Sequence, residues 1–128
     1  KSFFMKYLAL LLLASPLLLS NSDCGKKETA EKYKGRLEIA GICFNYAISV
    51  QEGNINSDLV AESWTDEQTG KTYEDVFRLG NPCDFPGNIK QGDEFYFMID
   101  TAKGKECAVC MAYYPTPAKA LRIKVVEP

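Results

Sequence analysis

The chain has 128 residues, no histidine and a formal net charge of −2. The lack of histidine excludes a Ser-His-Asp triad, a histidine general base and any zinc site with an imidazole ligand. The slightly acidic balance argues against nucleic acid as a partner, because phosphate binding depends on a clustered basic surface.

The first predicted element is an export signal over residues 1–24. Lys6 precedes a leucine-rich apolar run, which is followed by small polar residues and then by Cys24. This pattern is typical of a secretory signal, and the run is shorter than the ~20 residues that a membrane-spanning helix needs. We therefore expect the rest of the chain to fold outside the cytoplasm, where thiols oxidise.

Two processing routes fit the end of this signal. Cys24 and the polar residues 25–28 resemble the acylated cysteine and tether of short exported bacterial lipoproteins of unknown function, although Asn21 and Asp23 depart from the usual lipoprotein pattern. The resemblance implies a lipid anchor on Cys24 and a bacterial membrane location facing the periplasm or the cell surface. The alternative is cleavage after Ser22 and release as a soluble secreted protein. Five cysteines cannot all pair, and lipidation of Cys24 would leave an even number.

Beyond the signal we expect a tether and one domain. Residues 25–35 are polar and charged, which predicts a solvated tether. Residues 36–128 contain short runs rich in Ile, Val, Phe and Tyr, separated by Gly, Asn, Pro and Asp. This spacing predicts a single all-β domain.

The first half of the domain predicts three strands. The apolar alternation changes parity within the run from Arg36 to Val50, which predicts a bulge or sharp bend near Gly41 to Phe44. Leu59 to Trp64 and Tyr73 to Leu79 predict the next two strands, joined by a polar loop in which Gly70 takes a positive φ.

The second half begins with an irregular loop and predicts three more strands. The loop from Pro82 to Asn88 contains two prolines, which cannot donate to a strand ladder. The strands are predicted at Glu94 to Asp100, Glu106 to Tyr114 and Leu121 to Val125. The order of elements resembles a small six-stranded antiparallel barrel of the OB type. An immunoglobulin-like β-sandwich, with the first run split at Gly41, is the alternative.

Four cysteines, Cys43, Cys83, Cys107 and Cys110, predict two structural disulfides. Residues three apart in a strand lie ~10 Å apart, whereas a disulfide needs Cα atoms within ~7 Å, so Cys107 and Cys110 should not bond to each other. Of the two pairings that remain, we favour Cys43 with Cys110 and Cys83 with Cys107. The alternatives are a redox pair formed by Cys107 and Cys110 or a four-thiolate metal site. Our main expectation includes neither a metal nor a cofactor.

Aromatic residues supply the candidate binding surface. Those on or beside predicted strands are Trp64, Tyr73, Tyr96, Tyr113 and Tyr114. They could stack against a glycan or a partner protein, although aromatics in strands more often form core and cross-strand pairs. The carboxylates of Asp66-Glu67 and Glu74-Asp75 predict solvated hairpin tips, because their spacing is not that of a calcium loop.

The sequence thus predicts a non-catalytic cell-envelope domain, stapled by disulfides and anchored to the membrane through Cys24, that binds an envelope protein or a glycan. One alternative is an envelope thiol-disulfide redox factor that uses Cys107 and Cys110. The other is a secreted inhibitor that presents the loop from Pro82 to Asn88.

Overall fold

The computed structural model describes residues 30–128, which fold into seven strands and two short 3₁₀ turns. The strands are β1 (Lys32–Ala40), β2 (Tyr46–Glu52), β3 (Ala61–Thr65), β4 (Thr72–Leu79), β5 (Glu94–Ile99), β6 (Ala120–Leu121) and β7 (Ile123–Val126). The 3₁₀ turns span Ile42–Phe44 and Pro82–Asp84. The predicted all-β class is confirmed. The predicted signal, with Cys24, and the first part of the tether lie outside the described residues.

The strand β1 begins at Lys32, within the stretch that was expected to be tether. Tyr33 explains the earlier start, because its side chain is buried and its ring stacks on that of Phe97, with centroids 5.5 Å apart. This inward-facing residue stands between two lysines in the sequence, so the alternation of the strand was hidden in a polar segment.

The bend predicted near Gly41 is a complete reversal of the chain. β1 pairs with β2 in antiparallel fashion, with Ala40 opposite Tyr46. Glycine fits the reversal because a Cβ at Gly41 would lie 2.7 Å from the carbonyl oxygen of Asn45. A register shift inside β1, between Leu37 and Ile39, adds to the change of parity that the sequence contained.

The strands form one sheet in the order β3-β4-β2-β1-β5-β7, and β6 pairs with β4. The β4–β6 ladder is parallel and consists of two residue pairs, whereas the other ladders between described strands are antiparallel. The last segment therefore changes partner at Arg122, from β4 to β5. The sheet has seven strands where six were expected, and it is not closed; residues 120–126 pair with β4 at their start and with β5 at their end.

Asn81 continues the sheet where β4 ends. Its Nδ2 donates to the carbonyl oxygen of Ile123 at 2.8 Å, and the Ile123 N–H donates to its Oδ1 at 2.9 Å. The Asn81 side chain is buried, and buried backbone groups need hydrogen-bond partners. Its amide makes the two hydrogen bonds with Ile123 that a neighbouring strand would otherwise make.

The two faces of the sheet are covered unequally. The main core consists of Tyr33, Leu37, Ile48, Val60, Phe77, Leu79, Phe95, Phe97, Leu121 and Ile123. A smaller cluster contains Ile39, Ala47 and Val76, with Trp64, Tyr73 and Tyr114 packed against it. Because successive strand residues point to opposite faces, Ala47 and Ile48 belong to opposite sides. The second face is completed by polar side chains.

The strand predicted from Glu106 to Tyr114 does not form, and residues 101–119 contain no strand. Cys107 and Cys110 are bonded to two different parts of the fold, so the segment follows its disulfides and not a neighbouring ladder. Its alternating apolar side chains, which predicted a strand, are exposed.

Candidate functional site

Two disulfides join the parts of the chain that carry the candidate site. Cys43 is bonded to Cys110 and Cys83 to Cys107, with Cα atoms 5.0 and 5.6 Å apart. The favoured pairing is therefore confirmed, although its premise of a strand at Cys107 was wrong. The disulfides indicate an oxidising, exported compartment. Among residues 30–128, no group of three His, Cys, Asp or Glu is placed to hold a metal ion.

The first disulfide fixes a turn with unusual backbone geometry. Cys43 and Phe44 have φ values of +58° and +59°. This left-handed region costs a residue other than glycine roughly 1–2 kcal/mol. Asn45 supports the turn, because its Nδ2 donates to the carbonyl oxygens of Ile42 at 2.6 Å and of Ala112 at 2.9 Å. The turn is thus held to residues 110–112 by a covalent bond and a hydrogen bond.

Large apolar side chains are exposed on the two segments that this disulfide joins. They are Ile42 and Phe44 in the turn, and Val109, Met111 and Tyr113 in the facing segment. Met111 is 95% exposed and Tyr113 is 81% exposed. Within the described part of the chain, these five are the exposed large hydrophobic side chains. We call these five side chains, which flank the two bonded cysteines or follow shortly after them in the chain, the apolar platform; exposed apolar side chains that form one patch often mark an interaction site.

Tyr113 was among the predicted binding residues, whereas the other four platform residues were missed. Ile42 and Phe44 were placed at the predicted bend of the first run, with no expectation of exposure, and Val109 and Met111 in a return strand. The signal in the sequence was that each of two disulfide cysteines, Cys43 and Cys110, has large apolar residues on both sides. A cysteine whose own side chain is used for a crosslink leaves its neighbours to point elsewhere.

Three of the predicted aromatic residues lie together on the second face of the sheet. Trp64 stacks on Tyr73, with ring centroids 6.1 Å apart and planes inclined by 23°, and Tyr114 packs against the same cluster. The Nζ of Lys71 lies 4.8 Å from the Tyr73 ring centroid. Burial is the main cause that raises the pKa of Tyr73. All three rings are half-buried, which is the arrangement of a secondary core.

Asp66 is buried, which corrects the expectation of a solvated hairpin tip. It is 1% exposed. Its Oδ1 accepts the Gln68 N–H at 2.9 Å, and its Oδ2 accepts the hydroxyls of Thr69 at 3.0 Å and Tyr114 at 3.3 Å. The carboxylate therefore organises the β3–β4 turn and attaches it to the aromatic cluster. The other three carboxylates of these pairs are exposed: Glu67, Glu74 and Asp75.

A polar cleft of about 530 Å³ crosses the second face, over β1, β2 and the start of β4. Its polar groups bind one another: Gln51 Nε2 donates to Ser49 Oγ, and Ser49 Oγ donates to Glu38 Oε1, both at 2.6 Å. Hydrogen-bonding groups that are already satisfied within the protein offer little to a ligand.

An ion-pair network borders this cleft. Glu94 accepts hydrogen bonds from Arg36 and pairs with Lys34 at 3.1 Å. These two partners, Arg36 first, lower the pKa of the Glu94 carboxyl. Tyr96 lies beside the same network, with its ring centroid 5.9 Å from the Nζ of Lys34, and so is separate from the other predicted aromatic residues.

The loop from Pro82 to Asn88, predicted as a candidate inhibitory finger, is packed onto the domain. The Phe85 ring meets the Phe95 ring edge-on, with centroids 5.5 Å apart. Only the tip of the loop, Gly87 and Asn88, is exposed.

Over residues 30–128, no helix has the length and apolar character needed to cross a membrane. Comparisons with protein-family models, with curated proteins and with solved structures found no match for this chain. The function is therefore argued from the geometry of the platform and its disulfide.

Proposed function

We propose that this chain is an exported, non-catalytic binding domain that captures a protein partner with the apolar platform. The observation that carries the proposal is that five exposed large hydrophobic side chains lie on two segments joined by the Cys43–Cys110 disulfide. A surface that is rigid before binding loses less conformational entropy when the partner docks.

The chemistry of the platform fits a protein better than a glycan. Methionine and aromatic side chains are enriched at the centres of protein interfaces, and Met111 and Tyr113 are the most exposed members of the platform. A sugar requires hydrogen-bonding groups around a stacking ring, whereas the platform neighbours of Tyr113 are apolar. The stacked pair Trp64 and Tyr73 is half-buried.

The direction of β1 favours a partner that lies away from the anchoring membrane. We propose that the lipid is attached at Cys24, so the membrane lies on the side of Lys32. The nine residues of β1 run from Lys32 to Ala40, and a strand of this length spans about 26 Å. The turn at Ile42–Phe44 follows Ala40 directly. A lipid-anchored domain would therefore present the platform outward, toward another envelope protein.

The two alternatives have less support. A redox factor needs Cys107 and Cys110 to form one dithiol-disulfide pair, whereas each is bonded to a different cysteine. An inhibitor needs a protruding loop, whereas Phe85 attaches the loop from Pro82 to Asn88 to the core.

Site-specific photo-crosslinking in the native envelope tests the proposal. A benzoylphenylalanine at position 113 should crosslink to one envelope protein, whereas the same group in place of Glu62, which is exposed on β3, should not. Met111→Ser should lower the yield at position 113 about tenfold, because truncation of a well-packed interface residue costs roughly 1.4 kcal/mol of binding free energy. Identical products from both positions, or crosslinks to lipid alone, would contradict the proposal.

A further inference from the structure

We propose that the platform is under redox control, through reduction of the Cys43–Cys110 disulfide by a dithiol oxidoreductase of the exported compartment. The inference rests on the proposed function, because it concerns the regulation of the same binding surface. Two structural features support the inference. The Cys43–Cys110 disulfide holds the two halves of the platform together, and the strands of the sheet pair without it.

The disulfide is accessible from solvent on one side. Cys110 is exposed and Cys43 is half-buried, and Cys107 and Cys83 of the second disulfide are exposed and half-buried in the same way. Exposure therefore opens both bonds to an attacking thiolate, and the order of reduction depends on what holds each pair together. Exposed disulfides and those closed at the expense of strain are the ones that exchange most readily with thiols.

The turn that carries Cys43 has strained backbone. Cys43 itself and its neighbour Phe44 are both in the left-handed region. Among the described residues, the hydrogen bond from Asn45 Nδ2 to the Ala112 carbonyl oxygen links the turn with the facing segment besides the disulfide. Once the bond is reduced, the facing segment is held near the turn by this hydrogen bond and by Tyr114, four residues beyond Cys110, which packs against the aromatic cluster and bonds Asp66.

The second disulfide is supported differently. Next to Cys107, the N–H of Lys105 donates to both carboxylate oxygens of Asp84, at 3.2 and 3.3 Å. The guanidinium of Arg122 donates to the Ala102 carbonyl oxygen at 3.1 Å and lies 3.9 Å from the Asp84 carboxylate. These contacts hold residues 102–105 beside the 3₁₀ turn that contains Cys83, so the reduced cysteines stay close and the bond re-forms. The Cys43–Cys110 bond should therefore be reduced first.

Reduction should leave the sheet folded. Neither hydrophobic cluster contains a residue from 101–113, and this segment contributes no strand. Release of the segment would separate Ile42 and Phe44 from the other three platform residues. The domain would keep its core and lose its binding surface.

The chemistry balances with one dithiol. Its thiolate attacks the Cys110 sulfur, the bond to Cys43 breaks, and the Cys43 sulfur leaves as a thiolate that takes up a proton. The second thiolate of the dithiol then attacks the mixed disulfide, forms the oxidised dithiol and releases Cys110 as a thiol. The protein gains two electrons and the dithiol loses two.

Graded reduction of the purified oxidised protein tests the order of opening. Samples are incubated with increasing dithiothreitol, trapped with an alkylating reagent and mapped by peptide mass spectrometry. We expect Cys43 and Cys110 to be alkylated at about tenfold less dithiothreitol than Cys83 and Cys107, which corresponds to about 30 mV in reduction potential. The circular dichroism of the sheet should stay unchanged at that point. Reduction in the reverse order, or of both bonds together with unfolding, would refute the inference.

Paired variants test the effect on binding with the same crosslinker at position 113. The double variant Cys43→Ser, Cys110→Ser should lower the crosslink yield about tenfold, as loss of a binding hot spot would. The matched control Cys83→Ser, Cys107→Ser should retain most of it. Equal yields from the wild type and the first variant would overturn redox control but leave the binding proposal standing. Absence of any crosslink in the oxidised wild type would overturn both.

Discussion

Single residues complete the sheet where backbone pairing ends. Asn81 is the clearest case, because its amide bonds both the N–H and the carbonyl oxygen of Ile123. Asn81→Ala would leave these two groups without their partner in a buried site, and an unsatisfied buried group costs about 1–3 kcal/mol. We expect the free energy of unfolding to fall by about 3 kcal/mol in urea denaturation.

The control for Asn81 is Asn88→Ala, which removes the same amide from an exposed loop position. Exposed substitutions of this kind usually change stability by less than about 0.5 kcal/mol. Similar losses in the two variants would show that the amide of Asn81 does not substitute for a strand.

The ionisation of one residue, Glu94, makes the stability of the fold depend on pH. Its pKa is lowered by Arg36 and Lys34 in the folded domain, so the ionised carboxylate stabilises the fold. This contribution is complete above the pKa of an unfolded glutamate and is lost as the pH falls through the lower, folded value. Glu94→Gln should therefore reduce the difference in stability between pH 7 and pH 3, as measured by urea unfolding.

The control for this pH dependence is Glu62→Gln, at an exposed position of β3 that forms no ion pair with another described residue. Glu62→Gln should keep the wild-type loss of stability in acid. An acid dependence that is identical in the wild type and Glu94→Gln would mean that the network contributes nothing in solution. The pairs are exposed, so the expected effect is small.

At the scale of elements, the two disulfides differ both in the chain entropy that each removes from the unfolded state and in the backbone strain of the turn that each closes. The cysteines they join are 67 and 24 residues apart. Loop entropy alone predicts stabilisation of about 4 kcal/mol for the longer loop and about 3 kcal/mol for the shorter one. The longer loop, however, is closed with Cys43 and Phe44 in left-handed backbone, which offsets roughly 2 kcal/mol.

We therefore expect Cys43→Ser, Cys110→Ser to lower the free energy of unfolding by no more than Cys83→Ser, Cys107→Ser does. Urea unfolding of the two double variants and the wild type makes the comparison. A clearly greater loss for the first double variant would show that loop entropy dominates and that the strained turn costs little.

The elements also show how far sequence patterns reach. Alternation located β5 closely, because Phe95 and Phe97 are buried on one face of that strand. The bounds of β4 were also close, although its neighbours Val76 and Phe77 are buried on opposite faces. The return strand predicted from Glu106 to Tyr114 does not exist, since composition and position in the chain do not reveal whether a partner strand is available. Tyr33 was missed for the opposite reason, as one inward residue among lysines is too short a pattern to recognise.

The candidate site was predictable only in part. The small number of possible partners narrowed the cysteine pairing to two arrangements, and the favoured one, Cys43–Cys110 with Cys83–Cys107, is the one observed despite a wrong local structure. The apolar platform was not predicted, because the exposure of Ile42 and Met111 depends on how a disulfide draws two distant segments together. Asp66 was likewise judged by its hairpin position, whereas the Tyr114 hydroxyl that bonds it comes from a segment far along the chain.

At the scale of the whole molecule, the platform and the expected tether lie at opposite ends of β1. The main core and the ladder of β1 with β2 and β5 provide a rigid body. The platform lies at the end of β1 opposite to Lys32, and the expected tether precedes Lys32. This arrangement suits a domain that is held at one end and binds at the other.

We propose that the apolar platform is covered by a partner protein in the native envelope. Hydroxyl-radical footprinting measures this directly, because methionine and tyrosine side chains react according to their exposure. We predict that Met111 and Tyr113 are oxidised several-fold more slowly in the intact envelope than in the purified domain, while the half-buried Met98 reacts equally in both. Equal rates for Met111 and Tyr113 in the two preparations would contradict the account.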